Sequence, residues 1–282
     1  MKKIGICFPE KDFLSMDFEK FKNYILLFKE NGLYSFDIYT SLIISGYDKI
    51  NELLIFLNNN DIKITFHYAE SKCIDEKNIL KSCIEDLISV RNKLDACHIN
   101  YHTTIVFHAQ NYAHEYQKYE HLQSQILFFK ELCKKTKELN FDILVETLSN
   151  NHPIGNHIGD DYIEIENLID EVNQDNFGIC WDIGHTRLNS LEEYSNIYLP
   201  MNIMNKVKHT HIHSFSLDDG IHEVLDHLPL LNDVYKNKEL KYLQDFGYDG
   251  VYSIETDTNN LSENINIYLD SIKLLNNMLD NI

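Results

Sequence analysis

Gly178-Ile179-Cys180-Trp181-Asp182 is a short apolar run that closes on a single acid. Successive side chains of a strand point to opposite faces, so Ile179 and Trp181 share one face and Asp182 belongs to the other. The same figure recurs on both sides of it. Before it, Asp142-Ile143-Leu144-Val145-Glu146 puts Ile143 and Val145 on the apolar face and leaves Glu146 opposed; after it, the strand from Lys206 to His213 carries His209, His211 and His213 on one face and Ile212 on the other. Near the end of the chain Tyr252 and Ile254 oppose Glu255, and upstream Ile105 and Phe107 leave His108 inward, as Ile64 and Phe66 leave His67.

Counted along the whole chain, such runs predict eight strands: Lys3 to Phe8, Ser35 to Tyr39, Lys63 to Tyr68, Thr103 to His108, Asp142 to Thr147, Gly178 to Asp182, Lys206 to His213 and Gly250 to Glu255. Longer segments of helical periodicity separate them, among them Asp17 to Asn31, Asp75 to Leu94, Glu115 to Leu139, Tyr162 to Val172 and Leu261 to Leu279. In the first of these Phe18, Phe21, Ile25 and Phe28 form a stripe, and Asn31-Gly32 supplies a stop. Eightfold strand and helix alternation in a chain of 282 residues predicts an α/β fold, a (β/α)8 TIM barrel, over a doubly wound sheet. No glycine-rich phosphate loop follows the first strand, which argues against a dinucleotide site. No Pro-, Gly- or Ser-rich linker divides the chain, so residues 1–282 are read as a single domain. The stretches from Leu148 to Asp161 and from Ser214 to Asn232 are long for strand-to-helix connections, and in a barrel such connections build the active-site face.

Composition narrows the setting. Lys and Arg number 25 against 44 Asp and Glu, a formal charge of −19 with histidine neutral, which opposes attraction to a phosphate backbone and makes nucleic acid a poor partner. No apolar run reaches the roughly 20 residues of a membrane span, and Ile4 to Phe8 is too short for a secretory leader. The six cysteines form no C-x-x-C pair and read as reduced, mostly buried thiols. The expectation is a cytoplasmic enzyme, with a homo-oligomer compatible with it.

Six strands therefore deliver His67, His108, Glu146, Asp182, His211 or His213, and Glu255 to one rim. Like charges repel in a poorly solvated site, so three carboxylates buried together need a cation or a proton. A divalent metal meets that need, and mixed His and carboxylate donors suit zinc or manganese first, with cobalt, iron or magnesium also admitted, over calcium. Taken singly, an inward His or Glu at a strand end is more often a hydrogen-bonded structural residue, and His98, His102, His114 and His121 keep that reading.

These residues resemble the xylose isomerase-like TIM barrels, the superfamily that joins sugar and sugar-phosphate isomerases and epimerases with endonuclease IV. The carrying segments are Ile64-Thr65-Phe66-His67, Val106-Phe107-His108, Leu144-Val145-Glu146-Thr147, Gly178 to His185, His209-Thr210-His211-Ile212-His213, Asp226-His227-Leu228-Pro229-Leu230 and Gly247 to Glu255, in the family's order. The resemblance implies a metal held by Glu146, Asp182, His211 and Glu255, with His213 the rival for the histidine position. It also implies that a zinc cluster of the endonuclease IV kind would add His67, His108, His185 and His227. The aspartate expected two residues before the last histidine falls at Leu225, which cannot coordinate, with Asp226 or Glu223 as substitutes, and Leu231-Asn232-Asp233 replaces the usual glycines.

Two chemistries follow from the resemblance. In the first, a small-molecule carbohydrate or hydroxy-ketone is isomerised or epimerised through a metal-stabilised enediolate, with Glu146 and Glu255 as the proton-transferring pair and His185 on a substrate oxygen. In the second, a zinc-dependent phosphodiester hydrolase acts on abasic DNA and Glu146 bridges metals. The charge of −19 and the Leu225 departure favour the first.

Overall fold

In the computed structural model, which describes residues 2–7, 14–68, 76–109, 111–112, 114–149, 156–192, 198–217, 224–230, 238–256 and 261–282, all eight expected strands form. They are β1 (Ile4–Cys7), β2 (Leu33–Tyr39), β3 (Lys63–Tyr68), β4 (Thr103–Phe107), β5 (Phe141–Glu146), β6 (Phe177–Asp182), β7 (Val207–Ile212) and β8 (Val251–Glu255). Each pairs in parallel with the next, and β8 returns to β1, so the sheet closes as a (β/α)8 barrel. Phe8, expected to end the first strand, lies outside the described residues. The seventh strand is shorter than expected at both ends: Lys206 belongs to a 3-10 turn, Met204–Lys206, and His213 lies just past the last paired residue.

The surrounding helices are α1 (Phe18–Glu30), α2 (Thr40–Ile44), α3 (Ile50–Asn59), α4 (Glu76–Ala96), α5 (Lys118–Thr136), α6 (Tyr162–Val172), α7 (Ile183–Glu192), α8 (Lys238–Phe246) and α9 (Leu261–Asp280). Helix α1 shows how sequence sets each of them. The side chain of Asp17 accepts from the N–H of Lys20 at 2.9 Å, Phe21, Ile25 and Phe28 are buried against the sheet, and Gly32 turns the chain at φ +103°. No helix among the described residues is long and apolar enough to cross a membrane. Cys7, Cys83, Cys97, Cys133 and Cys180 are buried and outside any disulfide among the described residues, and Cys73 lies outside those residues.

Two interiors result from strand parity. The outer faces, with Ile143, Val145, Ile179, Trp181, Tyr252 and Ile254, are buried against the helices. Inside the barrel, among the described residues, the apolar cluster is Val106, Leu144 and Cys180. Branched aliphatic side chains usually fill such a lumen, but here buried Ser35, Asp37, Thr65, His67, Glu146, Asp182, His209, His211, Ser253 and Glu255 occupy inward positions.

Two short antiparallel ribbons stand in strand-to-helix connections. Asn111–Tyr112 pairs with Asn156–His157, and Ser214–Leu217 pairs with Val224–Leu228. The second lies within the long connection from Ser214 to Asn232: the chain doubles back on itself there, and its pairing carries His227 beside the end of β7.

Candidate metal centre

Glu146, Asp182 and Glu255 end strands β5, β6 and β8, and His211 lies one residue before the end of β7. Parallel register aligns them, with Asp182 opposite His211 and His211 opposite Ser253. The Nδ1 atom of His211 stands 3.0 Å from Oε1 of Glu146 and 2.8 Å from Oε2 of Glu255. One ligand atom from each of Glu146, Asp182, His211 and Glu255 lies within 4.8 Å of the others, in a buried group.

Electrostatics favours positive charge at this point. Burial pushes both glutamates up, but the charges of His211 and, for Glu146, also of His108 outweigh it and hold them well below the usual carboxylate range. For His211, burial acts downward, and Cys180, Glu255 and Glu146 raise it well above the ordinary imidazole value. Oδ2 of Asp182 is buried without a hydrogen-bond partner among the described residues, a costly arrangement in a low-dielectric interior. The donor set, three carboxylates and an imidazole crowded together, fits a divalent cation of the zinc or manganese class.

The other nitrogen of His211 faces a network absent from the sequence reading. Its Nε2 lies 3.7 Å from Oδ2 of Asp37 on β2, an atom that accepts from Ser253 Oγ at 2.6 Å and is 3.1 Å from His209 Nε2. Parity was the signal that could have found Asp37: Phe36 and Ile38 pack outward, which leaves Asp37 in the lumen. A carboxylate behind a ligating imidazole fixes its tautomer and orientation.

The remaining candidates divide into two groups. His67 and His108 converge on Glu146, their Nε2 atoms 3.3 and 3.1 Å from its Oε2. His185, His213 and His227 gather near Asp182, with ring centroids 5.0 Å (His185–His213), 5.2 Å (His185–His227) and 4.2 Å (His213–His227) apart. His185 arrives there because Asp182 caps α7: its Oδ1 accepts the N–H of His185 at 2.8 Å. Arg187, in the same helix, donates to Glu239 of α8 at 2.6 Å and ties that turn down.

His213 groups with Asp182, His185 and His227 rather than with Glu146 and Glu255. Oδ1 of Asp226 lies 3.1 Å from Nδ1 of His227. Burial raises Asp226, but this bond and the charge of His227 hold it at about 2. Burial lowers His227, yet the same bond and nearby carboxylates lift it to about 9. Glu223 and the Leu231-Asn232-Asp233 segment lie outside the described residues. Among the histidines read as structural, His102 faces Asp142 at 3.0 Å, at the start of β5 and away from the rim.

A family model described as the xylose isomerase-like TIM barrel matches residues 28–278. No curated protein sequence matches the chain significantly. Among solved structures, that of D-psicose 3-epimerase with D-tagatose from Clostridium cellulolyticum H10 is 17% identical, covers 99% of this chain and 97% of its own, and superposes with a TM-score of 0.70. The IolI protein with a bound zinc atom is 18% identical over 100% of this chain and 99% of its own, with a TM-score of 0.70. The apo 3-keto-D-glucoside 4-epimerase YcjR from E. coli is 15% identical over 98% of this chain and 100% of its own, with a TM-score of 0.69. At these identities the likeness is one of fold.

Proposed function

The chain belongs to the xylose isomerase-like TIM barrel family, and from that premise we propose that it is a divalent-metal-dependent isomerase or epimerase of a small sugar or hydroxy-ketone. The observation that carries the reading is the convergence of Glu146 and Glu255, from two different strands, on His211 Nδ1, at 3.0 and 2.8 Å. Glu146, Asp182, His211 and Glu255 would hold the cation. When bound, it supplies Lewis acidity toward a ketone and its neighbouring hydroxyl, together with a template that fixes both.

The rest falls to the chain's own side chains. Both glutamates have pKa values well below the ordinary one, so both are ionised at neutral pH, the state in which a carboxylate can take a proton from carbon. One removes the proton beside the ketone, and the other, reached from a different strand, returns one. The buried lumen beneath them keeps bulk water from the reacting carbon. Names of two structures with the same fold, a D-psicose 3-epimerase and a 3-keto-D-glucoside 4-epimerase, are in keeping with this reaction class.

The test is solvent exchange. Protein loaded with manganese or zinc and incubated with ketopentoses and ketohexoses in deuterium oxide should place deuterium at the carbon beside the ketone. Glu146→Gln and Glu255→Gln should each slow that exchange by about 10²- to 10⁴-fold. If both variants keep metal content and turnover, the assignment of the pair is wrong.

A second reading draws on His67 and His108, which crowd the same Oε2 of Glu146, an arrangement suited to a bridged metal pair and hydrolysis of a phosphodiester. The charge of −19 opposes a DNA partner. Cleavage of an abasic-site duplex without carbon exchange would replace the first reading with this one.

A further inference from the structure

We propose that the buried ion pair of Glu164 and Lys118 aims the strand end that carries Glu146, with Glu164 as the positioning residue. The inference rests on the reading of Glu146 as a metal ligand and proton-transferring carboxylate, and it adds to that reading the group that holds the carboxylate in place.

Glu164 stands where a helix N-terminus ordinarily closes on itself. Asp161 is the N-cap of α6, and its side chain accepts the N–H of Ile163 at 2.9 Å. A glutamate three residues after such a cap usually reaches back to the N–H of the capping residue. Here it reaches further, and Oε2 of Glu164 accepts the N–H of Gly159 at 2.8 Å. The carboxylate is buried and takes its countercharge from another helix, with Nζ of Lys118 2.6 Å from Oε1. Lys118 is the first residue of α5, an end where the macrodipole disfavours a cation. A buried carboxylate without a partner would be costly, so α5 carries a locally unfavourable lysine where it neutralises Glu164.

From Gly159 the contacts run on to the site. Its carbonyl accepts the N–H of Leu148 at 3.0 Å, and Asn189 of α7 donates from Nδ2 to the carbonyls of Leu148 and Asp160 at 2.9 and 3.1 Å. Gly159 holds φ at +108°, and a Cβ there would stand 3.1 Å from the carbonyl oxygen of Glu146, so glycine lets the returning chain lie close on that peptide. Between Glu146 and Leu148, Thr147 accepts the N–H of Asp182 on Oγ1 at 2.8 Å, and its carbonyl lies 3.1 Å from Nδ1 of His185. A pair serving stability alone would join two helices. This one ends on the peptide of Glu146 and, through Thr147, on Asp182.

The experiment follows turnover, zinc affinity and stability of the full chain. Glu164→Ala should lower kcat by about 10- to 100-fold, as displacement of a reacting group by about 1 Å does, with KM within about 3-fold of wild type. Glu164→Gln combined with Lys118→Met keeps an acceptor for the Gly159 N–H and removes both charges, and it should hold kcat within about 3-fold of wild type. Lys208→Met breaks the ion pair with Asp142 (2.7 Å), at the starts of β7 and β5, and is the control for lost stability, with kcat unchanged. Gly159→Ala presses on Glu146 from the far side of the same contact, so its expected loss of kcat, about 10-fold, stands even if Glu164→Ala fails to fold. The inference is overturned if folded Glu164→Ala or Gly159→Ala turns over like Lys208→Met, or if the neutral double variant is as slow as Glu164→Ala. If wild type exchanges no proton with any ketose, the reading of function fails alone and zinc affinity decides the inference. Binding about 10-fold weaker in Glu164→Ala than in Lys208→Met is then expected, and equal binding overturns it.

Discussion

The two groups that meet at Asp182 are built from opposite materials. The first takes three carboxylates and one imidazole, all from barrel strands, and that imidazole points inward through Nδ1 with Asp37 behind its Nε2. The second takes one carboxylate and three imidazoles, and only Asp182 lies within a barrel strand. His185 comes from the first turn of α7, His213 from just past β7, and His227 from the ribbon Val224–Leu228. Sheet register fixes the first group, whereas caps, a glycine and a ribbon fix the second. Oxygen-rich donors beside a pair of glutamates suit chelation of a polyol and proton transfer, while an imidazole-rich group holds a softer ion more firmly.

The sharpest way to break the comparison is to remove the shared residue. With a cation held by each group, Asp182→Ala should cost both sites, each by about 10³-fold or more in zinc affinity, since it deletes a ligand and not merely a ligand's support. His211→Ala should cost only the first. Isothermal titration with zinc checks this, and a second site that survives Asp182→Ala means that the two are not joined there.

Metal removal gives the next effect. A site saturated at 100 times its Kd adds about 2.7 kcal/mol to stability, so with both sites loaded to that degree chelation should remove about twice as much from wild type as from His213→Asn. Thermal unfolding with zinc and after chelator measures the difference, and an equal loss in both proteins would leave one cation in the wild type. Below that comes Asp37→Asn, expected to weaken the first site by about 10- to 100-fold and to leave the second unchanged. Competition with a zinc-selective dye resolves the two affinities, and a second site that weakened as much would make Asp37 a general support of the lumen.

The barrel and the first group were legible in the sequence for the same reason. A period of two sorts Ile143 and Val145 from Glu146, or Ile179 and Trp181 from Asp182, without knowledge of any neighbour. The role of Asp37 was not legible, because its partners His209 and His211 stand across the lumen on β7 and not on a neighbouring strand. Contacts across a barrel depend on strand tilt and stagger, and here the β6–β7 pairing also shifts register between Ile179 and Cys180. The second group was half legible. Asp182 and His185 show a capping spacing, but nothing local says that His213 reaches over Gly184, or that the chain after β7 folds back to bring His227 alongside.

Thr147 offers the smallest effect and the finest test of what positions Asp182. Its Oγ1 accepts the N–H of Asp182 at 2.8 Å, while its backbone carbonyl takes the Nδ1–H of His185. Thr147→Val deletes the first bond and keeps the second, leaving a buried N–H unpaired at a cost of about 1–3 kcal/mol. Unfolding in urea should show that loss. If β-register alone sets Asp182, zinc affinity at both sites should change by less than about 3-fold, because the strand pairings of Asp182 with His211 and of Cys180 with Glu146 are untouched. If instead the second site weakens and the first does not, the hydroxyl is steering Asp182 toward the imidazoles, and the two groups differ in rigidity as well as in donors.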